Sequence, residues 1–329
     1  MVRIAYFSAS KSGLIALRRI VALRPNGLEI VAVFTIGPEM AKKHAVSGHA
    51  DFGPLCNKHG LALRLVADYA LRTPEDVEAV KECNPEMIVV NGWNRLLPAD
   101  VISLPSQGSY GIHAGHPPKG RGRAFKAWSI IKAFDEFVFY LFELTPDADA
   151  GRIVAEVRVE LTPKDDAGTL ADKEGLASSE LIAEWIPVIS ETGFRGIPQD
   201  AKEATSYPKR VPKDGRINFA WDGDRVDRWI RAHSDPYPGA FFDSLRGRVV
   251  VHRGQVFDRK FNPWQGLEPG RVLAVVGSGV LVSTGTWPVL IRAVEVDGRK
   301  VTGGDEIAEA CGLEEGGMAE LALTNPDRT

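Results

Sequence analysis

The chain has 329 residues, 44% of them hydrophobic and 25% charged, with a formal net charge of −3. A length above that of one ordinary core predicts two domains, and the charge balance excludes bulk attraction to nucleic acid or anionic lipid. No apolar run reaches the roughly 18–20 residues of a membrane span, and Cys56, Cys83 and Cys311 lack metal or disulfide spacing, which fits a reducing, cytoplasmic setting.

Val2 to Ser8 reads as a buried strand that runs into the small-residue loop Ala9-Ser10-Lys11-Ser12-Gly13. Leu14 to Leu23 carries apolar residues at helical spacing, and Leu28 to Thr35 is a second strand. This strand–loop–helix–strand opening predicts an α/β domain built on a doubly wound, mostly parallel sheet. The small-residue loop has neither Gly-x-Gly-x-x-Gly nor the Gly-Lys-Ser/Thr of a phosphate loop, so it reads first as a tight turn. Gly37 to Pro54, with Lys42, Lys43, His44 and His49, reads as a polar surface loop leading into a helix. Its histidines lack the carboxylate or cysteine framework that zinc requires. Leu61 to Val66 fits a third strand, Thr73 to Glu82 a helix capped by Thr73, and Pro85 to Asn91 a fourth, buried strand.

That fourth strand ends in Gly92-Trp93-Asn94-Arg95-Leu96-Leu97-Pro98. In an open α/β sheet, ligands bind just past the carboxyl ends of the strands. Apolar walls beside backbone donors and acceptors suit a flat heteroaromatic ring. On the residues alone, Trp93 and Leu96 serve equally well as the core packing of a strand-to-helix turn. Ser109 to His113 is a short strand entering the stretch Gly111 to Gly151. A helix over Phe125 to Ala133 and a buried strand over Phe137 to Leu144 then lead to a loop carrying Asp149. Parallel strands would bring His113 and Asp149 to one sheet edge, and imidazole beside carboxylate is a recurring acid–base pairing. Between them Lys119, Arg121 and Arg123 make a basic, glycine-rich loop, either a solvated turn or a contact for an anion, to which arginine's paired donors are suited.

Ile153 to Leu161 alternates apolar and polar residues, as a strand with one exposed face should. Asp165-Asp166-Ala167-Gly168-Thr169 reads as the cap of a long helix, Leu170 to about Glu191, rather than as a metal site. Gly196 to Asn218 is polar and proline-rich. Beyond it come a short helix, Asp224 to Ala232, and strands at Arg248 to His252, Arg271 to Val275, Gly279 to Ser283 and Val289 to Val296. Their regular Gly/Asp punctuation suggests a small barrel. The expected organisation is a catalytic domain over residues 1–195, a linker over 196–223 and a C-terminal domain over 224–329.

His113-x-x-x-Pro117-x-x-x-Arg121-Gly122, followed by Asp149-x-Gly151, resembles the signature of the folate-dependent formyltransferases. The runs Arg121-Gly122-Arg123-Ala124, Ala148 to Ala155 and Arg231 to Phe241 are most similar to the sugar-nucleotide N-formyltransferases of the UDP-4-amino-4-deoxyarabinose type. The resemblance implies an OB-like C-terminal domain and 10-formyltetrahydrofolate as formyl donor, without a metal. It also implies that the pterin lies against Gly92, Trp93, Asn94, Arg95 and Leu97, with Asn94, Arg95 and Leu97 acting mainly through their backbone groups, and against the loop containing Ala148. His113 would stabilise the oxyanion or protonate the leaving nitrogen, and Asp149 would charge His113 and accept the amine's proton. Lys119, Arg121 and Arg123 would hold the acceptor, an amino sugar nucleotide. Alternatives are another small amine, an amino-acid derivative or methionyl-tRNA as acceptor, water in a folate hydrolase, or a non-catalytic folate or nucleotide binder. A barrel edge would offer a homodimer surface.

Three positions depart from the family pattern: Gly111 replaces the usual asparagine, Gly115 a serine and Phe125 a proline. Glycine has no side-chain donor for a developing oxyanion, and loss of one such donor costs about 2.7–4 kcal/mol of transition-state stabilisation. Asn91, Asn94, His116 and a water are the candidates to replace it.

Overall fold

The first strand, β1 (Val2–Phe7), is buried at every position except Arg3, the pattern of a strand covered on both faces. The computed structural model describes residues 1–320; the last residues of the expected C-terminal domain, 321–329, lie outside the described residues. Ser10 starts α1 (Lys11–Leu23) by accepting a hydrogen bond from the Gly13 N–H, and β2 (Leu28–Thr35) returns parallel to β1. The stretch read as a surface loop folds in part as a helix, α2 (Pro38–Lys43). Pro38 opens it, Glu39 stands in its first turn and Lys42 and Lys43 in its last, which matches the helix dipole at both ends. After α3 (Gly53–His59) come the short edge strand β3 (Leu63–Leu65) and α4 (Pro74–Glu82), capped by Thr73 as expected.

β4 (Met87–Asn91) is buried at every residue and lies parallel to β1. A single turn of helix, α5 (Ala99–Ile102), precedes β5 (Ser109–Ala114), parallel to β4. The chain then makes the two-residue β6 (Arg121–Gly122) and α6 (Phe125–Ile131) before β7 (Glu136–Glu143) and β8 (Ile153–Glu160). These last two run antiparallel, so the seven-stranded order is β3-β2-β1-β4-β5-β7-β8. The alternation of buried and open positions along β8 matches the pattern read in its sequence. The long helix α7 (Ala167–Thr192) follows, and β9 (Ser206–Tyr207) pairs with β6.

The chain divides into two compact units, with Arg210 onward in the second together with residues 127–133 and 164–168. The second unit contains α8 (Gly223–Ala232), capped by Asp222, and the strands β10 (Ala240–Ser244), β11 (Gly247–Val256), β12 (Val272–Val276), β13 (Gly279–Val282), β14 (Val289–Val296) and β15 (Arg299–Thr302). They form an antiparallel sheet in the order β10-β11-β14-β13-β12, with β15 also on β14. Phe242, Val249, Val251 and Ile291 of the sheet pack with Val226 and Ile230 of α8 in one core. Sequence patterning missed β10, which follows a proline-rich turn, β15, of whose four residues only Val301 is buried, and the closing helix α9 (Gly304–Cys311). No described helix is long and apolar enough to cross a membrane.

Candidate active site

Because β1, β4 and β5 are parallel, their carboxyl ends share one edge of the first unit. β5 brings His113 there. The antiparallel register of β5 on β7 sets His113 opposite Tyr140 and Gly111 opposite Phe142. Strand alternation puts all four on one face. The Tyr140 ring meets the imidazole edge-on at 5.7 Å between centroids.

Asp149 comes from the β7–β8 connection. Its backbone is left-handed, φ 52°, uncommon for a residue other than glycine but tolerated by aspartate. Asp149 Oδ2 accepts the Gly122 N–H at 3.0 Å and lies 3.6 Å from His113 Nε2, an ion-pair distance rather than a hydrogen bond. The two side chains are only 18% and 23% exposed, so their interaction is weakly screened. His113 and Asp149, singled out in the sequence, are thus neighbours in space.

Gln199 holds this arrangement from behind. Its Nε2 donates to the Asp149 carbonyl at 2.9 Å and to the Gly151 carbonyl at 2.6 Å, while its Oε1 accepts from Arg121 Nη2 at 2.8 Å. Thr205 adds a second tie, taking the Gly120 N–H on its hydroxyl at 3.1 Å and the Arg121 N–H on its carbonyl at 2.9 Å. No pattern in the sequence marks Gln199 or Thr205, because their partners are mostly backbone groups far away along the chain.

Gly92 turns the chain out of β4 with φ 71°, and a Cβ there would fall 1.9 Å from Ser10 Oγ, so only glycine fits. Trp93 packs edge-on against Phe7 and Tyr69, at 5.8 and 4.8 Å between centroids, and its buried Nε1 has no hydrogen-bond partner among the described residues. Leu97 is buried in the same cluster, whereas Leu96 is 60% exposed, so of the two residues that could have packed the turn only Trp93 does. The Asn94 N–H donates to the Tyr69 hydroxyl at 3.0 Å. The Arg95 side chain is engaged: Nη2 lies 3.1 Å from His44 Nδ1 and the guanidinium sits 5.2 Å above the Tyr69 ring. Ala148 is exposed on the loop that carries Asp149.

The three basic residues of the loop after β5 stand in three different surroundings. Arg121 is held by Gln199, and Lys119 makes an exposed pair with Glu203 at 3.6 Å, an interaction that contributes little to stability. Arg123 stands near Arg95 and Tyr69, and partial burial together with the Arg95 charge pushes its guanidinium below the usual range.

Gly111 is walled in. A Cβ added there would lie 2.8 Å from Leu144 Cδ2 and 2.9 Å from Phe142 Cε1, so apolar side chains fill the space a longer residue would take. Two candidates to replace the missing donor are engaged elsewhere: Asn91 Nδ2 donates to the Tyr6 hydroxyl at 3.2 Å, and His116 packs against Phe125 and Phe134. Tyr140 escaped the sequence reading although it is the single hydroxyl in the apolar run Phe137 to Leu144, where a buried phenol calls for a partner. It is fully buried and its hydroxyl has none among the described residues. Burial first, and then the nearby Asp149 carboxylate, push the phenol far above its ordinary range, against a smaller opposing effect of Arg121.

The sequence matches the family model described as formyl transferase over residues 2–186 and that of the formyl transferase C-terminal domain over residues 210–311. Among solved structures, HypX from Aquifex aeolicus in complex with tetrahydrofolic acid has a TM-score of 0.67 at 20% identity, covering 95% of this chain and 48% of that one. The N-formyltransferase from Helicobacter canadensis, in complex with folinic acid and dTDP-3-aminofucose, has a TM-score of 0.62 at 13% identity, covering 88% and 99%. Methionyl-tRNA formyltransferase from Clostridium thermocellum has a TM-score of 0.53 at 17% identity, covering 78% and 93%. The chain therefore spans about half the length of the HypX chains it matches, and at these identities the likeness is one of fold.

Proposed function

This chain belongs to the formyl transferase family, and we propose that it moves a formyl group from 10-formyltetrahydrofolate to the amine of an amino sugar nucleotide. The single observation that carries this reading is the His113–Asp149 pair at the carboxyl edge of the parallel strands. The aromatic wall of Trp93 and Tyr69, with an indole N–H that has no partner among the described residues, fits a flat heteroaromatic ring that offers acceptors. When bound, the folate supplies an activated formyl carbon. His113 donates to the formyl oxygen as charge develops there, or to the departing nitrogen. Asp149, 3.6 Å away, orients His113 and takes the proton of the attacking amine, directly or through a water. Arg123 and Arg95 provide positive charge for a phosphate or carboxylate of the ligands. The solved Helicobacter relative bound to a dTDP-amino sugar supports this acceptor class.

A second reading, a folate binder without transfer activity, is favoured by the filled space at Gly111. Turnover of 10-formyltetrahydrofolate with a panel of amino sugar nucleotides and other amines decides between them, comparing wild type with His113→Ala and Asp149→Asn. Amine-dependent turnover lost in both variants is the expected result. Donor binding without turnover on any amine would sink the transferase reading, and turnover without amine would replace it by hydrolysis.

A further inference from the structure

We propose that the Tyr140 hydroxyl is a catalytic donor of this site, contacting the formyl oxygen from the strand opposite His113. The proposal rests on the formyl-transfer reading above. Three features of the site lead to it. The position beside His113 on β5 that would carry a donor is Gly111, and Phe142 and Leu144 occupy the volume its side chain would need. On the partner strand the register places a phenol directly across from His113 on the same face. That phenol is fully buried, packs edge-on against the imidazole, and its hydroxyl has no hydrogen-bond partner among the described residues. An orphaned buried hydroxyl costs about 1–3 kcal/mol of desolvation, so a fold that keeps one beside an acid–base pair has left a donor for something other than itself.

The chemistry suits a donor that never ionises. As the acceptor nitrogen bonds to the formyl carbon, the C=O π pair moves onto oxygen. Tyr140 would hold that oxygen through its O–H while keeping the proton. The pair returns to carbon as the bond to the folate nitrogen breaks, and that nitrogen takes its proton from His113. Burial and the Asp149 carboxylate disfavour the phenolate, which keeps the hydroxyl a donor at neutral pH. A donor supplied by Tyr140 stands on β7 rather than on β5, which fits a site whose β5 position two residues before His113 is a glycine.

The test is Tyr140→Phe, which removes one oxygen and nothing else. Transfer kinetics and the infrared carbonyl stretch of bound 10-formyl-5,8-dideazafolate, a stable donor analogue labelled with 13C at the formyl carbon, give two readouts. The expected result is a fall in kcat of about 10²-fold, with KM for the donor unchanged, an unchanged or raised melting temperature, and a carbonyl stretch at higher frequency in the variant. Wild-type turnover in Tyr140→Phe, or a slowed variant whose carbonyl stretch has not moved, would overturn the proposal while leaving the transferase reading intact. A wild-type protein that neither binds the analogue nor turns over the donor would overturn both.

Discussion

Three hydrogen bonds from one amide side chain tie the Asp149 loop to the Arg121 loop. Each contributes about 0.5–1.5 kcal/mol net, but Gln199 matters more for where it leaves the carboxylate. A misplacement of about 1 Å in a catalytic group can cost about 10²-fold in rate. Gln199→Leu is therefore expected to lower kcat by about 10- to 100-fold with a modest loss of melting temperature, measured by steady-state kinetics beside thermal unfolding. A kcat within twofold of wild type would show that the loop holds Asp149 without it. The pair itself was legible in the sequence because His113, near the end of β5, and Asp149, in the loop after β7, stand in motifs that resemble a family signature. Gln199 was not, since a glutamine bonded to two carbonyls and a distant arginine leaves no period or spacing to read. Tyr140 went unread: it is the single hydroxyl in an apolar run, but only the register of β5 against β7 shows what it faces.

At the level of the element, β7 decides what β5 can carry. Gly111→Asn pushes new atoms into Phe142 and Leu144, and overpacking of this kind costs about 1–3 kcal/mol. We expect the variant to unfold at lower temperature without gain of activity, and Gly111→Asn with Phe142→Ala to recover part of the loss. A stable, more active single variant would show that the wall yields. In α8 the constraint is electrostatic. His233 is 7% exposed; its Nδ1 donates to the Trp229 carbonyl at 2.7 Å, and Arg210 Nη2 donates to its Nε2 at 2.9 Å. Both ring nitrogens are thus committed to the neutral form, and burial pulls the pKa from 6.5 down to about 4, the Arg210 charge adding to it against the opposing Trp229 hydrogen bond. The folded state then binds fewer protons than the unfolded state between those values, so stability rises with pH across that window and is lost as the solution is acidified from about 6.5 toward 4. At about 1.4 kcal/mol per pKa unit, the full effect is about 3 kcal/mol. Melting of the second unit followed from pH 7 to pH 5 should show that slope, and His233→Asn should flatten it. The conspicuous Arg231 to Phe241 run thus contributes at least one residue whose work is structural.

Across the whole chain, the parallel sheet, its helices and four strands of the second sheet were readable because their cores are long periodic runs. The strands that escaped, the two-residue β6 and β9 and, in the second sheet, β10 and β15, are short or mostly open to solvent, so neighbours rather than composition define them. The helix α2 escaped because polar residues at its ends mimic a loop. Chain division has a practical consequence, since Gln199, Thr205 and β9 lie beyond α7 but within the first unit. A fragment ending at Arg195 is expected to bind the donor analogue at least 10-fold more weakly than one ending at Lys209, because an untethered loop must be ordered on binding. Calorimetry of the two fragments measures this, and equal affinities would show that the tether is dispensable. The packed glycine on β5 also sets the terms for redesign. Room for a longer residue at position 111 has to be made at Phe142 or Leu144 in the same step, so a library that varies one position at a time passes over it.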